Sequence, residues 1–513
     1  MKIRRLAVIF LALGALLVPL SAQTQPVLNL TLEEAVTKAL KNNLNIAVEA
    51  FNPELATSQL LRAKEVFLPR FDMTFGSTHS ENPSTWWLQG QGTNVDKMNN
   101  YSASVVQIIP TGGNLSVSLQ NYRSETNQSF QLINPRYGTT LAVNFTQPLL
   151  RNFGLKITRR QILTAENGLE IADVQLRNTM MDTIYVVQEA YWNLVFAIES
   201  LQVKQQSLQL GRDLLAKNKK EVEFGQMAPI EILNAEATVA QREADLIQAE
   251  SLITRTQEVL KSIINLAAEG DVRGLALAPT DRPNIQSSLP NLDEALQRAM
   301  ANRPDLQVLQ KTLDTKALNL SVAKNQTLPS LDLKFSYSSP GISGDRLLYL
   351  NNDPFLGVII GREPGGVGQS IRDSFKFLYN NWNVGLTLSL PLGNVLTKAD
   401  YAYARTDLTQ SQVRLKSLEQ QVTLDVSDAV RMIETNAKRI NAYRVARELS
   451  ERSLDAEQKK LAVGMSTNYF VLDFQDKVAN ARSLELRAKI DYILSVERLE
   501  KATGLSLEKR GVR

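Results

Sequence analysis

A chain of 513 residues, 43% apolar, 21% charged and 6% aromatic, has the apolar matter for a core and too little charge for a disordered polymer. It has no cysteine and one histidine, His79, which excludes disulfide scaffolds, thiol nucleophiles, Cys/His zinc sites and any serine–histidine triad that does not use His79. Its 57 basic and 53 acidic residues nearly cancel, so nothing draws it toward nucleic acid.

Residues 1–22 read as an export signal. Lys2, Arg4 and Arg5 precede an apolar run from Leu6 to Leu20, and Ser21 and Ala22 offer a cleavage site after Ala22. No cysteine would follow that cut, so no lipid anchor is expected there. No later stretch has the roughly 20 apolar residues of a spanning helix, so any passage through a membrane must use strands.

The first mature element is a helix over about 30–67. Strand-like runs follow, in which Phe71, Met73 and Phe75, then Leu141, Val143 and Phe145, alternate with small or polar residues. A long helix over 154–223, a glycine turn and a helix over 229–266 complete the unit. After a linker at 269–290 the same grammar returns: a helix over about 292–327, strands at 331–337 and 384–390, a long helix over 396–462 and a last helix over 467–503. Residues 506–513 form a tail.

The return is a duplication. Leu32-Glu33-Glu34-Ala35 recurs 260 positions later as Leu292-Asp293-Glu294-Ala295, and Phe75 then falls on Phe335. Pro148-Leu149 meets Pro391-Leu392 at a shift of 243, and Phe224-Gly225 meets Val463-Gly464 at 239. The copies therefore span 23–268 (strands 70–76 and 139–147) and 291–505. The falling shift marks an insertion in the first copy. There Val105 to Ile109 and Leu115 to Leu119 flank Pro110-Thr111-Gly112-Gly113 as a hairpin, favoured as lying outside the barrel count, with six strands per subunit left open.

The helices after the turns carry steps of three and four. Ile232, Ala235, Val239, Arg242, Leu246 and Ala249 make one seam, and Val471, Phe474, Val478, Ala481, Glu485 and Ala488 the other. A soluble bundle would show the same spacing. One apolar and one polar strand face suits lipid outside and water inside, but a half-buried soluble sheet alternates in the same way. Context tips the balance: the chain reads as exported, has no spanning helix and carries long polar loops between its paired strands. Trp86, Trp87, Tyr379 and Trp382 lie in or beside the loops between strands, where interfacial aromatics belong. Pro69, Pro148, Pro329 and Pro391 stand at all four strand–helix junctions, where each denies a ladder donor and keeps its predecessor out of the helix. Four strands cannot close a barrel, whose usual minimum is about eight, and lipid tolerates no open strand edge, so such a chain must oligomerise.

Together these residues resemble the TolC family of outer membrane efflux proteins, over nearly the whole mature chain. The duplicated unit, the junction prolines and Gly464-Met465-Ser466-Thr467-Asn468 with Val471-Leu472-Asp473 carry the resemblance. It implies an α+β membrane protein: a homotrimer sharing a 12-stranded outer-membrane β-barrel that continues into a long periplasmic α-helical coiled-coil barrel. It implies as well a periplasmic adaptor and an inner-membrane transporter as partners, and an exit duct for efflux or type I secretion. Asp473 and Glu231 then match acidic positions at the pore entrance, beside the periplasmic turns of Gly225 and Gly464. Phe470 and Ser466 depart from the family's pore network. A simpler reading of Glu231 is an acid favoured by the dipole of a first helical turn, after Pro229.

No enzyme and no cofactor is expected. The glycines of 361–370 lack the Lys-Ser/Thr of a phosphate loop and read as a flexible surface loop, and His79 reads as a solvent-exposed ring in a loop. The alternative function is a soluble periplasmic coiled-coil scaffold or adaptor. The cargo is not written in the sequence.

Overall fold

The computed structural model describes residues 27–85, 92–270, 274–283, 285 and 289–510. The export segment 1–22, its cleavage residue Ala22, and Trp86 and Trp87 lie outside the described residues. No described helix is long and apolar enough to cross a membrane.

In chain order the elements are β1 (Val27–Leu30), α1 (Leu32–Asn42), α2 (Leu44–Glu65), β2 (Arg70–Pro83), β3 (Thr93–Ile108), β4 (Asn114–Thr126), β5 (Ile133–Pro148), a single turn α3 (Leu155–Thr158), α4 (Arg160–Glu223) and α5 (Ile230–Ile263). Then come β6 (Ala276–Pro279), α6 (Leu292–Asn302), α7 (Pro304–Gln326), β7 (Ser330–Tyr349), β8 (Ile359–Glu363), α8 (Val367–Phe375), β9 (Asn381–Ser389), α9 (Val395–Ala462) and α10 (Asn468–Ala502).

The single opening helix expected in each copy is broken, at equivalent places. Asn43 and Arg303 stand 260 positions apart, both with extended backbone (φ −65°, ψ 128° and φ −64°, ψ 125°). Pro304 excludes Arg303 from the helical region. Asn43 has no proline after it; instead its side chain donates to the Ile263 carbonyl at 2.7 Å. Thr31 caps α1 through a capping box with Glu34, and Asn291 caps α6.

Two compact units cut across the duplication rather than following it. One gathers the described residues up to Leu44 with Thr183–Leu289 and Met432–Arg498; the other gathers Asn45–Asp182, Pro290–Arg431 and the chain from Leu499. Each therefore mixes both copies. Equivalent helices of the two copies share a core in the first unit, where Ala235 of α5 packs with Val471 and Leu472 of α10; in the second unit Ala295, Ala299 and Leu306 pack with Val422, Val426 and Val430, all from the second copy. The first unit contains a ladder with no periodic signal in the sequence: β1 pairs in parallel with β6, from Val27 opposite Ala276 to Leu30 opposite Pro279. The fully buried Tyr191 closes it, its hydroxyl bonded to the Leu30 carbonyl at 3.0 Å and to the Asp281 carboxylate at 2.7 Å.

The second unit holds one antiparallel sheet in the order β2-β3-β4-β5-β7, with β9 and β8 both pairing with β7. The hairpin favoured as lying outside the count is inside the sheet: β3 and β4 separate β2 from β5. Strands also run further than their apolar stretches, β2 to Pro83 and β7 to Tyr349, because ladder bonds continue where the side chains turn polar. His79 accordingly lies in β2, not in a loop. Its ring is half-exposed, 2.9 Å from Glu81.

The glycine-rich stretch read as a flexible loop contributes β8 and α8. Ser374 of α8 accepts from the Leu141 N–H at 3.1 Å and donates to the Ser339 carbonyl at 2.7 Å, while Ser370 and Thr139 hydroxyls meet at 2.8 Å. Gly341 admits this contact, since a Cβ there would lie 2.1 Å from the Ser370 carbonyl oxygen.

Candidate functional site

Two places concentrate the sequence-derived candidates. In the first unit, α4–α5 and α9–α10 are joined by turns at Gly225 and Gly464. Both glycines are left-handed (φ +70° and +76°), and each turn closes by the same bond pair. Gly225 donates to Val222 and Gln226 to Glu221; Gly464 donates to Leu461 and Met465 to Lys460. This is the Schellman arrangement, which satisfies the last carbonyls of a helix and favours a residue without a Cβ at the left-handed position. The turns touch each other, with the Asn468 amide nitrogen 3.2 Å from Met227 Sδ. Leu214, Ala235, Val471 and Leu472 form the small core beneath.

Asp473 and Glu231 have different surroundings. Asp473 pairs with Lys477 one turn on in α10 at 2.7 Å and lines an open cleft of about 770 Å³ with Lys204, Arg242, Asp245, Asp476 and Lys477. Glu231 lies in the first turn of α5; its carbonyl accepts from Asn218 at 3.4 Å, and its Oε2 is buried without a hydrogen-bond partner. Phe470 is exposed, edge-to-face against Tyr469. Ser466 bonds across its turn to Glu457, whose other oxygen accepts from Lys460 at 3.0 Å. The Ser466 hydroxyl and the Lys460 ammonium hold the Glu457 carboxyl below the usual glutamate range.

Sequence reading placed Arg242 and Glu485 only as seam members. In the structure each is the charged node of its own seam, Arg242 in α5 and Glu485 in α10. Arg242, 5% exposed, donates to the Ser207 carbonyl at 2.7 Å, to Gln475 at 3.1 Å and to Asp476 at 2.8 Å, tying α5 to α4 and α10. Glu485, equally buried, is held by Lys489 at 2.9 Å and by Arg447. The available signal was a charge at a position where knobs-into-holes packing wants an apolar side chain.

The second place is the set of strand–helix junctions. Pro69 and Pro329 immediately precede β2 and β7, Pro148 ends β5 and Pro391 stands two residues after β9. Past Pro148 the chain is stitched to the other copy: Leu149 donates to the Leu331 carbonyl at 2.7 Å, and Asn325 accepts from the Asn152 N–H at 2.7 Å and donates to the Leu150 carbonyl at 3.2 Å. Asn325 was not singled out in the sequence, where nothing distinguishes it from other helix-end amides.

The family model described as "Outer membrane efflux protein" matches residues 112–266 and 295–505. The chain belongs to the outer membrane efflux protein family. Within this family it is 25% identical to the outer membrane protein TolC of Vibrio cholerae over 374 residues, 72% of this chain and 77% of that protein. It is 21% identical to the alkaline protease secretion protein AprF of Pseudomonas aeruginosa over 339 residues, 65% of this chain and 64% of AprF. Among solved structures it is similar to CusC (TM-score 0.64, 14% identity, 92% of each chain covered) and to VceC of Vibrio cholerae (TM-score 0.63, 14% identity, 92% and 96% covered). The efflux-protein fold, strands continuing into long helices, is thus shared well beyond the sequence likeness. Members of this family are outer membrane channel proteins rather than enzymes.

Proposed function

We propose that this protein is the outer membrane exit duct of a tripartite efflux or type I secretion system, a passive conduit driven by its partners. The observation that carries the reading is the two-faced sheet. Phe71, Val105, Val117, Val143, Tyr337 and Trp382 lie in register across six strands on one face. The next register line, on the opposite face, holds Asp72, Ser104, Ser118, Ala142, Ser338 and Asn381. An apolar face against hydrocarbon and a polar face against water is what a transmembrane barrel requires. Exposed Tyr379 and Trp382 fit the lipid–water interface.

The protein acts as a homotrimer in the outer membrane, with its helical part in the periplasm. A periplasmic adaptor and an inner-membrane transporter dock on the helical turns of Gly225 and Gly464. Asp473, exposed beside Lys477, serves as an acidic group of the pore entrance, and Glu231 as a lesser one. Two measurements test the reading together: retention in outer-membrane fractions through urea and carbonate washes, and discrete conductance steps from the purified trimer in planar bilayers. Release into the wash, as expected of a soluble scaffold, overturns it.

A further inference from the structure

We infer that each subunit contributes six membrane-spanning strands, not four, and that three subunits close an 18-stranded barrel by laying β9 of one against β2 of the next. The inference rests on the duct reading above and fixes its geometry.

The added strands β3 and β4 have 16 and 13 residues, beyond the roughly 9–11 that a tilted strand needs to cross a bilayer. Their side chains continue both faces of the sheet without a break: Met73, Ala103, Leu119 and Leu141 form a second apolar line beside the one that begins at Phe71. Their turn also ends level with the other strands. Thr111 bonds to Gln147 of β5 at 2.8 Å, and its carbonyl accepts from Gly154, at the start of the following helix, at 3.2 Å. A Cβ on Gly112 would lie 2.4 Å from the Asn152 carbonyl oxygen. A hairpin seated this closely on the Pro148 junction passes through the same slab as its neighbours.

This leaves β2 and β9 as the outer strands, each laddered along one edge only among the described residues. Hydrocarbon does not tolerate such edges. The duplication supplies the partner. Inside the chain, the last strand of copy one (β5) ladders with the first strand of copy two (β7), with Phe145 opposite Phe335. The equivalent positions are Leu388 in β9 and Phe75 in β2, both exposed (58% and 69%). Repeating that junction between subunits sets Leu388 opposite Phe75 of the partner subunit and keeps the apolar face continuous around the ring. Diameter grows about linearly with strand number, so this barrel is about 1.5 times as wide as one of 12 strands.

The absence of cysteine makes the edge directly testable. The double variant Phe75→Cys, Leu388→Cys, oxidised in native outer membranes, is expected to give covalent dimers and trimers on non-reducing gels. Phe71→Cys with Leu388→Cys, four residues out of line, is expected to stay monomeric. Cryo-electron microscopy of the wild-type trimer in lipid nanodiscs is expected to resolve 18 strands. A conducting trimer with 12 strands and the β3–β4 hairpin outside the wall overturns the inference while leaving the duct intact; a washable monomer overturns both. Cross-links that form equally well in the out-of-line variant defeat the proposed register.

Discussion

Arg242 places two guanidinium nitrogens, Nε at 3.1 Å and Nη2 at 2.8 Å, on one oxygen of Asp476, yet only the arginine is buried. The pair is therefore asymmetric. Arg242→Ala removes the cation and leaves the Ser207 carbonyl and Gln475 without their donor, so a loss of about 2–3 kcal/mol is expected. Asp476→Asn keeps the other acceptors around the guanidinium and is expected to cost about half as much. Thermal unfolding in detergent, with proteolysis of the helical turns as a local readout, ranks the two.

The two turns at Gly225 and Gly464 are expected to respond alike to the loss of their glycines. Alanine at Gly225 or Gly464 must adopt φ near +70° or +76°, at a cost of about 1 kcal/mol each. Amide exchange at Gln226 and Met465, which donate five residues back to Glu221 and Lys460, should accelerate in the matching variant and not in the other.

Glu457 makes the second turn sensitive to acid. Because Ser466 and Lys460 lower its carboxyl below the ordinary 4.5, their support is complete above that pH and fades as the pH falls through the lower folded value. Ser466→Ala is expected to move the titration back upward, with Lys460 keeping part of the shift. Carbon-13 spectra of labelled glutamate read this directly; an unmoved Glu457 titration would remove the serine from the account.

If Asp473 and Glu231 stand at the pore entrance as proposed, Asp473→Asn is expected to reduce cation preference in bilayer reversal potentials more than Glu231→Gln does. Asp473 is exposed in its cleft, whereas one Glu231 oxygen is sealed from solvent. Equal effects would place both carboxylates at the water-filled mouth.

On the sheet, Gly341→Ala is expected to displace α8, because the new methyl would meet backbone rather than a yielding side chain. Trypsin cleavage at Arg372 and Lys376 should then quicken while the strand ladder persists.

Much of this architecture was legible because long periodic segments announce themselves. The α9 and α10 boundaries fall within a residue or two of the ranges expected from spacing, and the glycine turns stand where the periodicity stops. What escaped was short or polar. The β1–β6 ladder has four residues on each side and no alternation to detect. The break at Arg303 was readable from Pro304, but the one at Asn43 depends on a bond to Ile263, 220 positions away. The glycines of 361–370 looked like loop because glycine permits both freedom and close approach. One of them permits close approach: at Gly365 a Cβ would lie 2.2 Å from the Gly344 carbonyl oxygen, whereas Gly366 and Gly368 have open space around them.

The seating of α8 bears on how the molecule sits in its bilayer. Ser339, Gly341 and Ser343 share a face with Leu333, Phe335 and Tyr337, yet carry almost nothing greasy of their own. The serine side of α8 covers this bare patch, and Val367 and Phe375 stay exposed. If that face of the sheet meets lipid as proposed, the upper margin of the hydrophobic belt is set by a helix laid on the strands, and trimming residues 350–380 to make a minimal barrel would lower that margin and suit a thinner membrane.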